Sequence, residues 1–324
     1  KVVAFEPSFL GRPGQILRMA TGSLGGKGRG LAFSNRVLSS YHLQEVAPNV
    51  DVRIPYTAVI GTDAFEEFIE INNLSQFIFE NKEFSKLKDR FLASRLPDHL
   101  AHKIYQYLEV IQTPVAVRSS GLFEDSLSQP FAGIYDTFLL PNNHEDIKVR
   151  HHQLCEAVKL VFASVFSDTA KGYFDTIHYK CEEEKMAVVI QEVAGNRYGN
   201  YFYPHISGVA QSINSYPYSY LKPEDGIAFA AMGLGKYVVD GENAYRFCPR
   251  YPKLEFLSSE DRFRNSQKYF YAIDLGLSEA SLLGGEDSTL KKLDLKQAES
   301  HGTLTHTVST WDILNNRLNP GFRE

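Results

Sequence analysis

The apolar positions of this chain change their period several times, and each change predicts an element. Leu154, Val158, Val161 and Val165 recur at spacings of four, three and four, which stripes one face of a helix predicted over roughly 145–166. The stretch "KMAVVIQEV" (185–193) is continuously apolar and β-branched, the pattern of a buried strand, and the turn "AGNRYGN" bounds it. "TPVAVRS" predicts a second strand. "IPYTAVIGTDAFEEFIE" reads as a short strand, a turn at Gly61 and a helix capped by Thr62 or Asp63, with acids in its first turns. Residues 74–112 read as helical with an interruption near Pro97, and a further helix is expected from about Leu31, behind the loop "TGSLGGKGRG". "YFYPHISGVAQSIN" suggests a hairpin partner and "DGIAFAAMGLGKYVVDG" a strand–turn–strand unit. Residues 255–324 are polar and mixed, with helical patches and no clear strand ladder. Helices and strands interleave irregularly, which predicts an α+β fold with mixed sheets.

Composition narrows the class. The 324 residues are 43% hydrophobic and 23% charged, enough for a sizeable core in one large or two smaller domains. Net charge is -5 and no block of lysines or arginines exists, which argues against nucleic acid and anionic membrane as partners. The longest apolar runs are too short to span a bilayer. Cys155, Cys181 and Cys248 are far apart with no C-x-x-C pairing, against a disulfide framework or zinc cage and in keeping with a reducing cytoplasm. No signal peptide is visible. A chain that opens on Lys1 and stops at "NPGFRE" reads as a piece of a longer protein.

Four stretches carry candidate chemistry. "GSLGGKGRG" places five glycines within residues 22–30 just before a predicted helix N-terminus, where backbone N–H groups and the helix dipole favour an anion, and Lys27 adds a mobile charge. Arg29 and Gly30 stand where a Walker loop requires Ser or Thr, so that motif is rejected; a glycine turn that merely caps a helix is the competing reading. Arg118, at the end of "VAVRSS", holds a planar fork suited to phosphate oxygens, against an intramolecular salt bridge with Glu124 or Asp125. Gln191, closing "VVIQEV", offers an amide able to read a purine edge, or is an ordinary strand terminus. Gly233 and Gly235 in "MGLGKYVVDG" form a tight turn or a phosphate approach.

The same stretches together resemble the N-terminal nucleotide-binding domain of the phosphoenolpyruvate synthase and pyruvate phosphate dikinase family. "GGKGRGLA", "IPYTAVIGTDAFEEF", "VAVRSSGLFEDSLSQPFAGIYDTFLL", "AVKLVFASVF", "VVIQEV", "SGVAQS" and "GLGKYVVDG" stand in family order over about 22–241. The resemblance implies an ATP-grasp-like domain: a first lobe over 1–205 with a helical insertion near 141–180, and a truncated second lobe over 206–324. It implies that Lys27 and Arg118 grip the ATP phosphates from opposite sides, with Gly25 and Gly26 in the glycine-rich opening. Gly133 and Thr137 would belong to a loop over the phosphates, Gln191, Glu192 and Val193 to the adenine-reading hinge, and Gly233 and Gly235 to the second lobe. The implied reaction passes a phosphoryl group from ATP to a histidine on a separate domain, and from there to pyruvate in a barrel domain of the same polypeptide. Mg²⁺ would accompany ATP, a homodimer is expected of the full-length protein, and the cytoplasm is the expected location.

Departures from the family pattern are also visible. No Glu followed by an "LQxRP"-like run appears in residues 255–324, so magnesium ligands are expected outside this chain, with weak ATP binding and no turnover for the chain alone. The "TSHAA"-like phosphohistidine motif is absent; His301 and His306 in "ESHGTLTHTVSTW" lack its surroundings. Lys236 stands where synthases show Glu, and Gln211 where they show an aromatic residue. These leave two alternatives: an ATP module serving an antibiotic or glucan acceptor, and a non-catalytic nucleotide-binding or scaffold module. His151, His152 and Cys155 share one helical stretch without a further ligand and read as an exposed face. "CEEEK" (181–185) reads as a solvated turn.

Overall fold

Short runs of aliphatic and β-branched residues build a six-stranded sheet in the first part of the chain. The computed structural model describes residues 1–321 apart from 13, 42, 82, 123, 125–132, 178–183, 278–280 and 306, and the side chains of 44, 286 and 320 stand outside the description. Two compact units form: Lys1–Val193 with Leu277–Thr289, and Ala194–Gly276 with Leu290–Glu324. In chain order the first contains β1 (Val2–Ala4), β2 (Ile16–Ala20), α1 (Gly25–Ser40), α2 (Leu43–Val46), β3 (Thr57–Ile60), α3 (Asp63–Ile71), α4 (Leu74–Glu80) and α5 (Phe84–Ala93). It continues with α6 (Asp98–Val110), β4 (Val115–Gly121), β5 (Thr137–Leu140), α7 (Ile147–Ser164), α8 (Asp168–Thr176) and β6 (Met186–Glu192).

The sheet runs β1-β2-β3-β6-β4-β5. Its first three strands are parallel and the remaining pairings antiparallel, so the mixed sheet and α+β class expected from the sequence are present. Strand alternation then decides which side chain meets which helix. Met186, Val188 and Ile190 of β6, Val115 and Val117 of β4 and Ala58 and Ile60 of β3 enter the main core with Phe68, Phe91, Leu108 and Phe162 from α3, α5, α6 and α7. The intervening Val59 and Val189, with Ile16, face the other way and pack with Leu31, Ala32 and Leu38 of α1. Arg118 is paired directly with Val189 on one side and Thr137 on the other, so it lies on this second face, the one α1 covers.

Two charged side chains are buried in the main core without an ionic partner being needed. Lys159 donates to the carbonyls of Leu92 (2.5 Å), in the last turn of α5, and Ser94 (3.4 Å), just past it, and Arg150 donates to Leu108 (3.1 Å) at the end of α6. Each cation satisfies carbonyls that a helix C-terminus leaves orphaned and meets the negative end of its dipole.

The second unit holds β7 (Asn196–Tyr198), β8 (Tyr201–Tyr203), β9 (Ile206–Gln211), β10 (Ile227–Met232), α9 (Lys236–Val239), β11 (Tyr245–Phe247), α10 (Ser259–Arg264) and β12 (Tyr269–Asp274). β13 (Leu290–Asp294), α11 (Leu295–Ser300), β14 (Ser309–Asp312) and β15 (Arg317–Pro320) complete it. Its sheets are β11-β10-β9, β13-β12-β8-β7 and the hairpin β14-β15. Strands in residues 255–324 are a departure from the sequence reading. The signal was present in "YFYAID", where Phe270 and Ala272 are buried and alternate with the less buried Tyr269 and Tyr271, but β13 ("LKKLD") is too polar to betray itself.

A second departure concerns α1, which starts at Gly25 rather than near Leu31. Glycines are poor helix formers, and here packing overrides propensity. A Cβ on Gly25, whose φ is +66°, would stand 1.7 Å from the carbonyl oxygen of Ser120, and one on Gly26 would stand 1.7 Å from that of Glu124. The glycines let the helix press its first turn against the end of β4. Gly25→Ala and Gly26→Ala are therefore expected to lower stability by at least about 1–3 kcal/mol, whereas Gly172→Ala in α8, with nothing within 4 Å, should gain about 0.5–1 kcal/mol. Urea denaturation of the three variants checks both signs.

Candidate nucleotide-phosphate site

The junction of α1 with the end of β4 is closed by side chains. Ser120 Oγ accepts from the Gly28 N–H (3.0 Å) and donates to the Leu24 carbonyl (2.7 Å), clamping the first turn of the helix to the strand. Ser23 Oγ accepts from the Gly25 N–H (3.2 Å). Thr62, expected as a helix cap, makes no side-chain cap bond; its Oγ1 accepts from the Ser23 N–H at 2.9 Å and tethers the glycine loop to the start of α3. Two of the helix N–H groups on which an anion was expected to rest are thus taken within the fold.

Lys27 reaches from this first turn to Glu124, Nζ to Oε1 at 2.5 Å, and to Ser119 Oγ at 3.3 Å. The sequence offered Glu124 as a rival partner for Arg118; its partner is Lys27, and Asp125 lies outside the described residues. Among the described residues no ion pair engages Arg118. Arg118 is the middle residue of β4, paired on both sides, because the strand runs on through both serines to Gly121 rather than ending at the arginine as expected, while Lys27 meets the strand one residue further on, at Ser119. Thr137, half-buried on β5, is the cross-strand neighbour of Arg118. Gly133 takes φ +75° with no atom within 4 Å of an added Cβ, so conformation alone favours glycine there.

The segment expected to read adenine closes β6. Gln191 lies on the same sheet face as Arg118, and its amide donates to Thr57 Oγ1 at 3.2 Å. The Glu192 N–H bonds the Tyr56 carbonyl (2.9 Å) and the Val193 N–H that of Pro114 (2.8 Å). Glu192 Oε1 accepts from Thr113 and Oε2 from the Tyr56 N–H. A purine edge would have to be met by atoms other than these two N–H groups.

A model described as pyruvate phosphate dikinase, AMP/ATP-binding domain, matches residues 21–261. The chain belongs to this family. It is 27% identical over 247 residues to a phosphoenolpyruvate synthase of Aeropyrum pernix, covering 69% of this chain and 28% of the relative. A phosphoenolpyruvate synthase of Deinococcus radiodurans is 28% identical over 275 residues (77% and 31%). An uncharacterized phosphotransferase, YvkC, of Bacillus subtilis is 30% identical over 188 residues (58% and 20%). The chain spans less than a third of the length of these relatives.

Gly233, Gly235, Lys236, Gln211 and His301 belong to the second unit, His151 and Cys155 to the first. Gly233 has φ +83°, and an added Cβ would lie 2.8 Å from both Phe270 Cβ and the Tyr271 carbonyl; the glycine is required by the approach to β12. Gly235 precedes α9. Lys236, in place of the family's Glu, pairs with Asp240 at 3.1 Å and lies 5.9 Å from the Tyr271 ring centroid. Gln211 is exposed at the end of β9. His301 Nδ1 meets Tyr203 Oη at 2.8 Å, while His306 and Cys181 lie outside the described residues. His151 Nε2 and Cys155 Sγ stand 3.4 Å apart, and His151 also meets the Ala101 carbonyl, so the pair is partly buried rather than an exposed face.

The residues present do not fit a protein-built magnesium cage. Among the described residues no group of three or more His, Cys, Asp or Glu side chains is placed to hold a metal ion. Glu124, the carboxylate at Lys27, already accepts from Lys27, Ser119 and the Gly121 N–H. Among the described residues no helix is long and apolar enough to cross a membrane.

Two titrations are testable. Burial pushes the Cys155 thiol up to about 12, so almost no thiolate exists at pH 8; alkylation of Cys155 in the folded chain, followed by mass spectrometry, should proceed only on unfolding. Burial also raises the Asp136 carboxyl above its ordinary 3.8 despite Lys88. A raised pKa favours the protonated folded form, so stability is lost as pH rises through the folded value. Asp136→Asn should raise Tm at pH 7, with the gain closing as pH falls to the usual carboxylate range.

Proposed function

We propose that this chain is the ATP-binding portion of a phosphoenolpyruvate synthase-like dikinase. The observation that carries the reading is that β4 and the helix over its face each bring a cation to neighbouring positions, Arg118 from mid-strand and Lys27, from the glycine-rich start of the helix, to Ser119, in a chain of the pyruvate phosphate dikinase family. In this reading Arg118, without a counter-charge among the described residues, supplies a bidentate fork for phosphate oxygens, and Lys27 supplies a second donor at the helix N-terminus. Neutralising and positioning a polyphosphate are what phosphoryl transfer asks of a protein. Thr137, beside Arg118, is assigned to the same phosphates together with Gly25, Gly26 and Gly133. Gln191, Glu192 and Val193 are assigned to the adenine, with the constraint that the N–H groups of 192 and 193 are engaged. Gly233 and Gly235 are assigned to the second lobe, taken to begin near residue 206.

The proposed reaction of the whole protein transfers the phosphoryl group to a histidine on a separate domain and on to pyruvate in another, in the cytoplasm and as a homodimer. Magnesium is assigned to the nucleotide's own phosphate oxygens and water, the ligation this ion prefers. What the chain's own residues do is hold and orient the phosphates.

Direct binding of Mg-ATP to the 324-residue chain, followed by displacement of a fluorescent ATP analogue, tests the reading. Lys27→Ala and Arg118→Ala should each weaken binding about 10- to 100-fold, the loss of a hydrogen bond to a charged group, with Tm little changed for Arg118→Ala and lowered for Lys27→Ala, which leaves the buried Glu124 carboxylate without its cation. Failure of the wild-type chain to bind ATP, or indifference of both variants, would refute the assignment.

A further inference from the structure

Glu124 entered the sequence reading only as a rival salt-bridge partner for Arg118, and the structure pairs it with Lys27 instead. It is 4% exposed and its carboxylate is held from three directions. Oε1 accepts from Lys27 Nζ at 2.5 Å and Ser119 Oγ at 2.8 Å, and Oε2 accepts from the Gly121 N–H at 2.8 Å. The next backbone N–H, that of Leu122, is taken by a second buried carboxylate, Glu184, at 2.8 Å. The turn that leaves β4 is therefore built on fixed carboxylates, and Glu124 cannot follow a moving partner.

Lys27 is the more accessible member, with 23% of its side chain exposed. Two orderings of events are conceivable when a polyphosphate arrives. Lys27 could leave Glu124 for the phosphate, in which case the carboxylate competes with the ligand. That exchange would strand a charged Glu124 in the interior with only a hydroxyl and one N–H, and stranding one member of a buried pair is what such pairs resist most. The alternative needs no exchange. An ammonium has three donors; Glu124 and Ser119 engage two, and the third, engaged by none of the described residues, is available to an oxygen of the ligand.

We infer that Glu124 is a positioning residue: it pins the Lys27 ammonium at the start of α1 while that ammonium binds a polyphosphate oxygen. The inference rests on the reading of this site as a polyphosphate site. Two consequences separate it from a purely structural role for Glu124. Its effect on the ligand must pass through Lys27, and the position of Lys27 must depend on Glu124 even when no nucleotide is present.

The test uses the 324-residue chain with Glu124→Gln, which removes the charge and keeps one acceptor oxygen for the Gly121 N–H while its NH2 faces the Ser119 hydroxyl, itself able to accept, and Ser119→Ala as a milder variant that leaves the carboxylate in place. Acetic anhydride labelling of lysines, read by mass spectrometry without nucleotide, should modify Lys27 about tenfold faster in Glu124→Gln than in the wild type, since a paired buried-edge ammonium is freed. ATP titrations should show Glu124→Gln binding about tenfold more weakly, Ser119→Ala less so, and neither adding to the loss already caused by Lys27→Ala, because residues that act through one another are not additive. Unchanged labelling of Lys27, tighter ATP binding by Glu124→Gln, or losses that multiply with Lys27→Ala would overturn the inference. A wild-type chain that ignores ATP would instead sink the nucleotide reading, and labelling would still decide whether Glu124 pins Lys27.

Discussion

The first turn of α1 is pressed into the end of β4, and the rest of the candidate site depends on that contact. Helix and strand meet there backbone to backbone, so close that no side chain fits at Gly25 or Gly26. Ser120 then bonds both a donor and an acceptor of the helix start. Because the contact fixes where α1 begins, it also fixes where Lys27 departs from the helix, and it brings that lysine within reach of Ser119 and Glu124. The glycines that would otherwise suggest a loose phosphate loop act as spacers of zero thickness between two rigid elements.

The electrostatics follow from the same geometry. Lys27 and Glu124 form a locally neutral pair, whereas Arg118, one residue before Ser119, is left without a counter-charge among the described residues. A site with one masked and one unmasked cation attracts an anion through the unmasked one and orients it through the other. The inward side of the sheet is apolar under α3, α5, α6 and α7, so the polar residues Thr57, Arg118, Thr137 and Gln191 are all placed on the opposite side by alternation alone. Membership in the pyruvate phosphate dikinase AMP/ATP-binding family and the position of these groups are independent observations that point the same way.

Much of this was legible in the sequence, and the physical reasons differ by element. β6 and α7 were readable because burial on one or both faces writes an unmistakable period into "MAVVI" and into Leu154, Val158 and Val161. The end of β4 was misread: "VAVRSS" suggested a strand ending at its arginine, whereas the ladder to β6 continues through both serines to Gly121. The start of α1 was not, because its glycines obey a tertiary contact some 92 residues away in the chain and contradict local propensity. Glu124 was misassigned for the same reason: sequence proximity favoured Arg118, while the fold delivered Lys27 from another element. β13 stayed hidden because three of its five residues are charged and its identity comes from pairing with β12.

A crystal structure of this chain with a non-hydrolysable ATP analogue tests the central claim most directly. The account predicts phosphate oxygens within about 3 Å of both Lys27 Nζ and the Arg118 guanidinium, with the Lys27–Glu124 pair intact. A nucleotide bound away from the end of β4, or touching only one of the two cations, would contradict it.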